Sequence, residues 1–199
     1  GKDNSYFRLY NYPWAVTFFL ECWKLWGEKE DLKTAVRITE KFYEQDGFRF
    51  YPIEMPIVML CQELEKAGEQ EDLKTVKDLF RCHADQLIEI GTAYPASEVN
   101  YEQSIVQPAA EVILQVYEVT GEEKYLRGAE QQIAVLYCGT HGLLRDVPIG
   151  KVAEFERLLV ETLSATDVFD ALRGGAEVEG GIGTKIEEAA ARVAASLKA

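Results

Sequence analysis

A short turn motif that recurs three times constrains this chain more than any other feature of its sequence. Gly27-Glu28-Lys29-Glu30-Asp31-Leu32-Lys33-Thr34 is matched closely by Gly68-Glu69-Gln70-Glu71-Asp72-Leu73-Lys74-Thr75, and more loosely by Gly121-Glu122-Glu123-Lys124-Tyr125-Leu126-Arg127. In each copy a glycine can end one helix in the left-handed conformation. Acidic residues follow where the positive end of the next helix favours them, and a leucine opens the next apolar stripe. The spacings, 41 residues from Gly27 to Gly68 and 53 from Gly68 to Gly121, mark internal repetition of a helix pair.

Apolar periodicity on either side of the turns supplies the helices. Trp14, Phe18, Cys22 and Leu25 fall on one helical stripe, so a first helix is expected from about Pro13 to Trp26, with Pro13 in its first turn. Leu32, Ala35, Val36, Thr39, Phe42 and Tyr43 give a second, ending at Asp46-Gly47. Ile57, Leu60, Cys61 and Leu64 precede Gly68, and Leu73, Val76, Phe80, His83, Leu87 and Ile90 follow it, which makes hairpin two. Ile105, Ala109, Val112, Val116 and Val119, then Leu126, Ala129, Ile133 and Leu136, make hairpin three. The expected class is all-α: consecutive antiparallel helix hairpins in an incomplete (α/α) toroid-like array of about eight helices.

Beyond Gly150 the composition changes, since apart from Phe155 and Phe169 every aromatic residue precedes it. Residues 1–150 therefore read as the hairpin-repeat region, and 151–199 as two further helices, about Lys151 to Leu172 and Lys185 to Leu197, packed on the same domain. Gly174 to Gly183 reads as a loop between them. Gly180-Gly181-Ile182-Gly183-Thr184-Lys185 has glycines suited to a phosphate, but lacks both a preceding strand and the GxxxxGK[ST] spacing, which argues against nucleotide binding.

A net charge of −13, with no basic stripe in the sequence, argues against binding nucleic acid or an anionic membrane surface. Glu21, Lys24 and Glu28 interrupt the best candidate for a membrane span, so a soluble protein is expected. Gly1 to Ser5 lack the basic and apolar regions of a secretory signal, which tilts the expectation towards the cytoplasm. Cys22, Cys61, Cys82 and Cys138 are widely separated, with no CxxC pair, and read as buried free thiols. Neither a metal nor a cofactor is expected.

Connections within hairpins are short, while those between hairpins are longer: Asp46 to Glu54, Gly91 to Asn100 and Gly139 to Gly150. Antiparallel pairing puts all three at one end, and long loops in compact domains tend to carry function. The first holds Arg49, Tyr51 and Glu54; the second Tyr94, Ser97, Glu98, Asn100, Tyr101 and Glu102; the third His141, Arg145 and Asp146. Acids beside aromatics suit a sugar, whose C–H faces stack on rings and whose glycosidic bond yields to a carboxylic acid working with a second carboxylate. Each residue also has a plainer role. Asn100 can cap a helix with Gln103 reaching back, Glu102 then suits a first turn, and His83 fits a hydrogen-bonded core position. Trp14, Trp23 and Trp26 read as packing residues before sugar platforms.

The repeated hairpins, the turn Thr120-Gly121-Glu122-Glu123-Lys124-Tyr125-Leu126 and the segment Tyr94-Pro95-Ala96-Ser97-Glu98-Val99-Asn100-Tyr101-Glu102-Gln103-Ser104 resemble six-hairpin (α/α) toroid enzymes acting on carbohydrates. These include unsaturated glucuronyl hydrolases, related glycosidases and N-acylglucosamine 2-epimerases. The resemblance covers residues 6–150 and implies a sugar held at the wide end, among the inter-hairpin loops. It implies hydrolysis ahead of epimerisation or elimination, with Glu98 or Glu102 as acid and Asp146 or Glu54 as partner. Tyr51, Tyr94, Tyr101, Arg49, His141 and Arg145 would bind an oligosaccharide. The rival reading is a non-enzymatic helical-repeat scaffold binding a protein or peptide, although the spacings exceed a 34-residue tetratricopeptide unit.

Overall fold

The computed structural model describes residues 9, 11–49, 54–91, 103–178 and 180–198, and of residues 49 and 103–106 the backbone alone. Among them lie nine helices and no strand: α1 (Asn11–Trp26), α2 (Lys29–Glu44), α3 (Ile57–Ala67), α4 (Gln70–Ile90), α5 (Gln103–Thr120), α6 (Glu123–Thr140), α7 (Val152–Ser164), α8 (Val168–Arg173) and α9 (Gly181–Leu197). Two single 3-10 turns, Gly47–Arg49 and Ile149–Lys151, lie between helices. The all-α class and the succession of helix pairs hold. Gly27, Gly68 and Gly121 take φ of 71°, 74° and 70°, the left-handed region that stops a helix at little cost only when the residue has no Cβ. At Gly68 the closure is double: its N–H bonds Glu65 O at 3.1 Å and the Glu69 N–H bonds Leu64 O at 3.0 Å.

The described residues up to Glu89, with Glu111–Tyr125, form one compact unit, and those of Ile90–Ala110 with Leu126 onwards form a second. Inside the first unit, contacts between repeats follow the period of the sequence. Odd-numbered helices meet odd ones: Trp23 Nε1 on α1 donates to Glu63 Oε2 on α3 at 3.0 Å. The Gln115 side chain on α5 accepts from Val58 N at 3.3 Å and donates to Met55 O at 3.0 Å, at the start of α3. Even-numbered helices do likewise. Lys33 on α2 pairs with Asp72 on α4 at 2.7 Å, and Lys124 on α6 reaches back to Asp85 on α4 at 2.7 Å. Arg81 on α4 pairs with Glu122 in the last turn, also at 2.7 Å.

Beneath this polar edge the core follows from periodicity. Leu32, Ala35, Val36, Thr39, Phe42 and Tyr43 are all buried on α2, and Ile57, Leu60, Cys61 and Leu64 on α3. Removing a side chain such as Leu32 or Phe42 from water contributes roughly 1.5–3 kcal/mol each. Thr39 satisfies its hydroxyl on Ala35 O at 3.0 Å. His83 is fully buried, as its place on the α4 stripe implies, and its Nδ1 lies 3.2 Å from Tyr43 Oη.

Several expectations change. The first concerns α1, where Trp14, Phe18 and Leu25 are 53%, 62% and 72% exposed while Pro13, Val16, Leu20 and Cys22 are buried. This helix is apolar on nearly every side, so spacing alone does not choose its buried face. On α6, Leu126, Ile133 and Leu136 are only half-buried. Ala129 is buried as expected, and Tyr125, Gln132, Val135 and Cys138 are buried with it. Cys82 is exposed, whereas the other three thiols are buried as expected. Finally, the single helix expected from Lys151 to Leu172 breaks after Ser164, where Thr166 Oγ1 accepts from the Val168 N–H at 3.3 Å and starts α8 afresh.

In the second unit Phe155, Leu159 and Leu163 of α7 pack with Ile186, Ala190, Val193 and Leu197 of α9 and with Ala134 and Cys138 of α6. α9 begins one turn earlier than its periodicity implies, at Gly181. Gly183 explains why glycine stands there: a Cβ would lie 2.4 Å from Tyr137 Oη and 3.0 Å from Val178 O. Lys185 of the glycine-rich stretch is engaged by both Asp167 oxygens, at 2.6 and 2.7 Å, and that bond holds the Asp167 carboxyl below its usual range.

Candidate functional site

The inter-hairpin loops deliver few of their candidate residues into the described part of the chain. Glu98, Glu102, Tyr51, Tyr94 and Tyr101 lie outside the described residues, and Arg49 is placed by its backbone only, at the end of the 3-10 turn. Glu54 stands in the first unit; His141, Arg145 and Asp146 stand in the second.

Glu54 is exposed and holds φ at 58°. A glutamate in the left-handed region carries a backbone cost of about 1 kcal/mol, which the surrounding structure must impose. The next residue supplies the restraint. Met55 is 1% exposed, and its carbonyl accepts both the Ile57 N–H at 2.9 Å and the Gln115 side chain at 3.0 Å. The carboxylate of Glu54 is thus presented to solvent from an anchored backbone at the start of α3.

Close to the same loop in sequence, Glu40, Tyr43, Glu44, Phe48, Thr75 and Leu79 line a cavity of about 350 Å³. Its floor is a stacked pair, Tyr43 and Phe48, with ring centroids 4.5 Å apart and planes 30° off parallel. Glu44 accepts from Lys41 Nζ at 2.8 Å. The arrangement offers an aromatic face beside carboxylates. Glu40, Glu44 and Phe48 escape an argument centred on loops because the two acids belong to α2; their i, i+4 spacing with Tyr43 between them is the signal that finds them.

In the second unit, a cavity of about 420 Å³ is lined by Gly142, Leu143, Arg145, Asp146, Glu187, Ala191, Ala194, Ala195 and Lys198. Two acids and two cations face it, and Asp146 pairs with Lys198 at 3.1 Å. His141 stacks on Tyr137, with centroids 3.8 Å apart, and its Nδ1 lies 3.0 Å from the Tyr137 carbonyl. A carbonyl only accepts, so Nδ1 is the donor in this contact. Tyr137 Oη in turn donates to Glu187 at 3.1 Å. These contacts hold the third loop against α6 and α9. Tyr137, Glu187 and Lys198 belong to helices or their ends, which a search of loops passes over.

Among the described residues no group of three or more potential ligands could hold a metal ion, and no helix is long and apolar enough to cross a membrane.

No family profile matches the chain. A solved structure of a polysaccharide lyase superposes with a TM-score of 0.64 at 33% identity, covering 68% of this chain and 20% of that one. Over a shorter stretch the chain is similar to ATP synthase subunit alpha. It is 44% identical over 71 residues to that of Phocaeicola vulgatus (34% of this chain, 13% of the relative) and 49% identical over 49 residues to that of Parabacteroides distasonis. The chain therefore spans a fifth of the lyase and about an eighth of the first of these subunits.

Proposed function

We propose that the hairpin-repeat part of this chain is a polysaccharide-active module. The observation that carries the reading is the likeness to a polysaccharide lyase, at one-third identity over two-thirds of the chain. Glu54 serves as the catalytic carboxylate, and Arg49 and Tyr51 of the same inter-hairpin loop hold the sugar. Glu54 is favoured over Asp146 because its carboxylate rises from an anchored, left-handed backbone, whereas Asp146 is neutralised by Lys198. The lyase likeness puts elimination beside hydrolysis: a base removes the proton next to a uronate carboxyl, and the glycosidic oxygen leaves with the electron pair.

A second reading separates two parts of the chain. The lyase likeness takes 68% of it and the ATP synthase likeness 34%, shares that together amount to about the whole. The compositional change at Gly150 and the separate core running from Ala134 to Leu197 support placing the second likeness at the C-terminal end. On this reading Asp146, His141 and Arg145 serve the packing of the second unit and not the sugar site.

The test is a panel of uronate-bearing and neutral polysaccharides, following ultraviolet absorbance of an unsaturated product alongside reducing ends. Elimination raises both signals and hydrolysis only the second. Polysaccharide binding with neither signal would leave a binding module, and no binding to any member of the panel would overturn the proposal.

A further inference from the structure

The start of α3 is capped from a different hairpin. Pro56 occupies the cap position, and no side-chain cap bond is made there. Proline has no N–H to give, and the first N–H groups of a helix have no partner within it. Gln115, half-buried on α5, supplies what is missing: its Oε1 accepts the Val58 N–H at 3.3 Å and its Nε2 donates to Met55 O at 3.0 Å. The two bonds straddle Pro56, directly after the left-handed Glu54. Both sides of this clamp are fixed, since Met55 is buried on one and Val112 and Val116, flanking Gln115 on α5, are buried on the other. One bond needs an acceptor and the other a donor on the same group, which among acids and amides of this length only glutamine offers at neutral pH.

We propose that Gln115 is the positioning residue for the Glu54 carboxylate: its clamp across Pro56 sets the backbone angle from which that side chain is aimed. The assignment rests on the reading of Glu54 as the catalytic carboxylate and adds how that group is kept in place. Gln115 acts through the backbone, so its loss should appear in turnover and not in binding. An unclamped carboxylate still meets the sugar but spends less time within reach of its proton. Gln115→Met keeps the length and removes both bonds; it should lower kcat about 10–100-fold and leave KM within about twofold. Gln115→Glu separates the two bonds. Its ionised carboxylate still accepts from Val58 but cannot donate to Met55 O, whereas the protonated form, favoured below about pH 4.3, can do both. The ratio of its kcat to that of the wild type should therefore climb as the pH falls from about 7 to about 4, the reverse of what a general loss of stability in acid gives.

Nuclear magnetic resonance of the full chain reads the clamp without any substrate. The one-bond Cα–Hα coupling of Glu54, smaller at positive than at negative φ, should rise in Gln115→Met, and exchange of the Val58 amide should quicken at least tenfold. If Gln115→Met does not fold, Gln115→Glu, which keeps one of the two bonds, should show the same changes at pH 7 and lose them in acid. A coupling and an exchange rate that match the wild type in a folded variant would overturn the proposal, whatever the activity. So would an altered Glu54 backbone with kcat unchanged, where Glu54→Gln abolishes cleavage. Should Glu54→Gln instead leave cleavage intact, the catalytic reading of Glu54 falls, and the coupling alone decides whether Gln115 sets its backbone.

Discussion

Glu54 concentrates two opposing demands in one residue. Its φ of 58° suits glycine, yet a carboxylate stands there. Replacing Glu54 with Gly should stabilise the fold by up to about 1 kcal/mol, by removing the left-handed penalty, and raise the thermal midpoint. The same change should abolish polysaccharide cleavage if Glu54 is the catalytic carboxylate, and Glu54→Gln should abolish it without the gain in stability. Unchanged cleavage in both variants would remove Glu54 from the mechanism. Glu156 offers a different lever. Burial pushes its carboxyl up from 4.5 to about 7, so the protonated form suits the fold. The stability it contributes is present below about pH 4.5 and is lost as the pH climbs through 7. Glu156→Gln should therefore stabilise the protein above pH 7 by about 1–2 kcal/mol, the group being partly solvated, and flatten the slope of stability between pH 5 and 7. Urea titrations at a series of pH values measure both.

At the scale of elements, amphipathicity decides what the sequence makes legible. The faces of α2 and α3 are readable to the residue because their opposite sides are charged, so only one stripe can be buried. α1 lacks that contrast: its apolar residues nearly encircle it, and its buried stripe is chosen by the hairpin that packs on it. The break between α7 and α8 depends on the Thr166 hydroxyl bonding locally, a signal that spacing of apolar residues does not carry. The candidate site is legible only as a set of loops and residue types. Glu54 alone shows why it stands out, since backbone conformation is invisible in composition. Two contacts test how the second unit is fastened. Glu130, 3% exposed, receives Arg173 through two bonds of 2.8 and 3.0 Å. Arg173→Ala leaves a buried carboxylate without that fork and should cost about 2–4 kcal/mol, while Glu130→Gln with Arg173→Met should recover most of it. Gly183→Ala should also destabilise, because its methyl meets Tyr137 Oη at 2.4 Å. Tyr137→Phe should then relieve Gly183→Ala more than it affects the wild type, a coupling that a double-mutant cycle of thermal midpoints detects.

Over the whole molecule, repetition and its interruption are both consequences of how helices cover one another. Up to Tyr125 the chain stacks by a rule in which odd-numbered helices seat on odd ones, even on even, and charged pairs about one repeat apart pin the edge. Past that point the core is made differently: small residues of α6 and α9 admit α7, aromatic residues are scarce, and the apolar cluster from Ala134 to Leu197 closes on itself. Two cores built by two rules need not melt together. Calorimetry of the full chain should then give a measured enthalpy larger than the van't Hoff value from the same transition, since that equality holds only for a single cooperative unit. Arg173→Ala, which touches the second core alone, should lower one component of the transition and leave the other in place. The polysaccharide proposal adds a condition, because cleavage should fade with the component that Arg173→Ala does not move. Coincident enthalpies, with both components shifting together in that variant, would mean that the chain folds as one unit and that the division of function between its two parts is wrong.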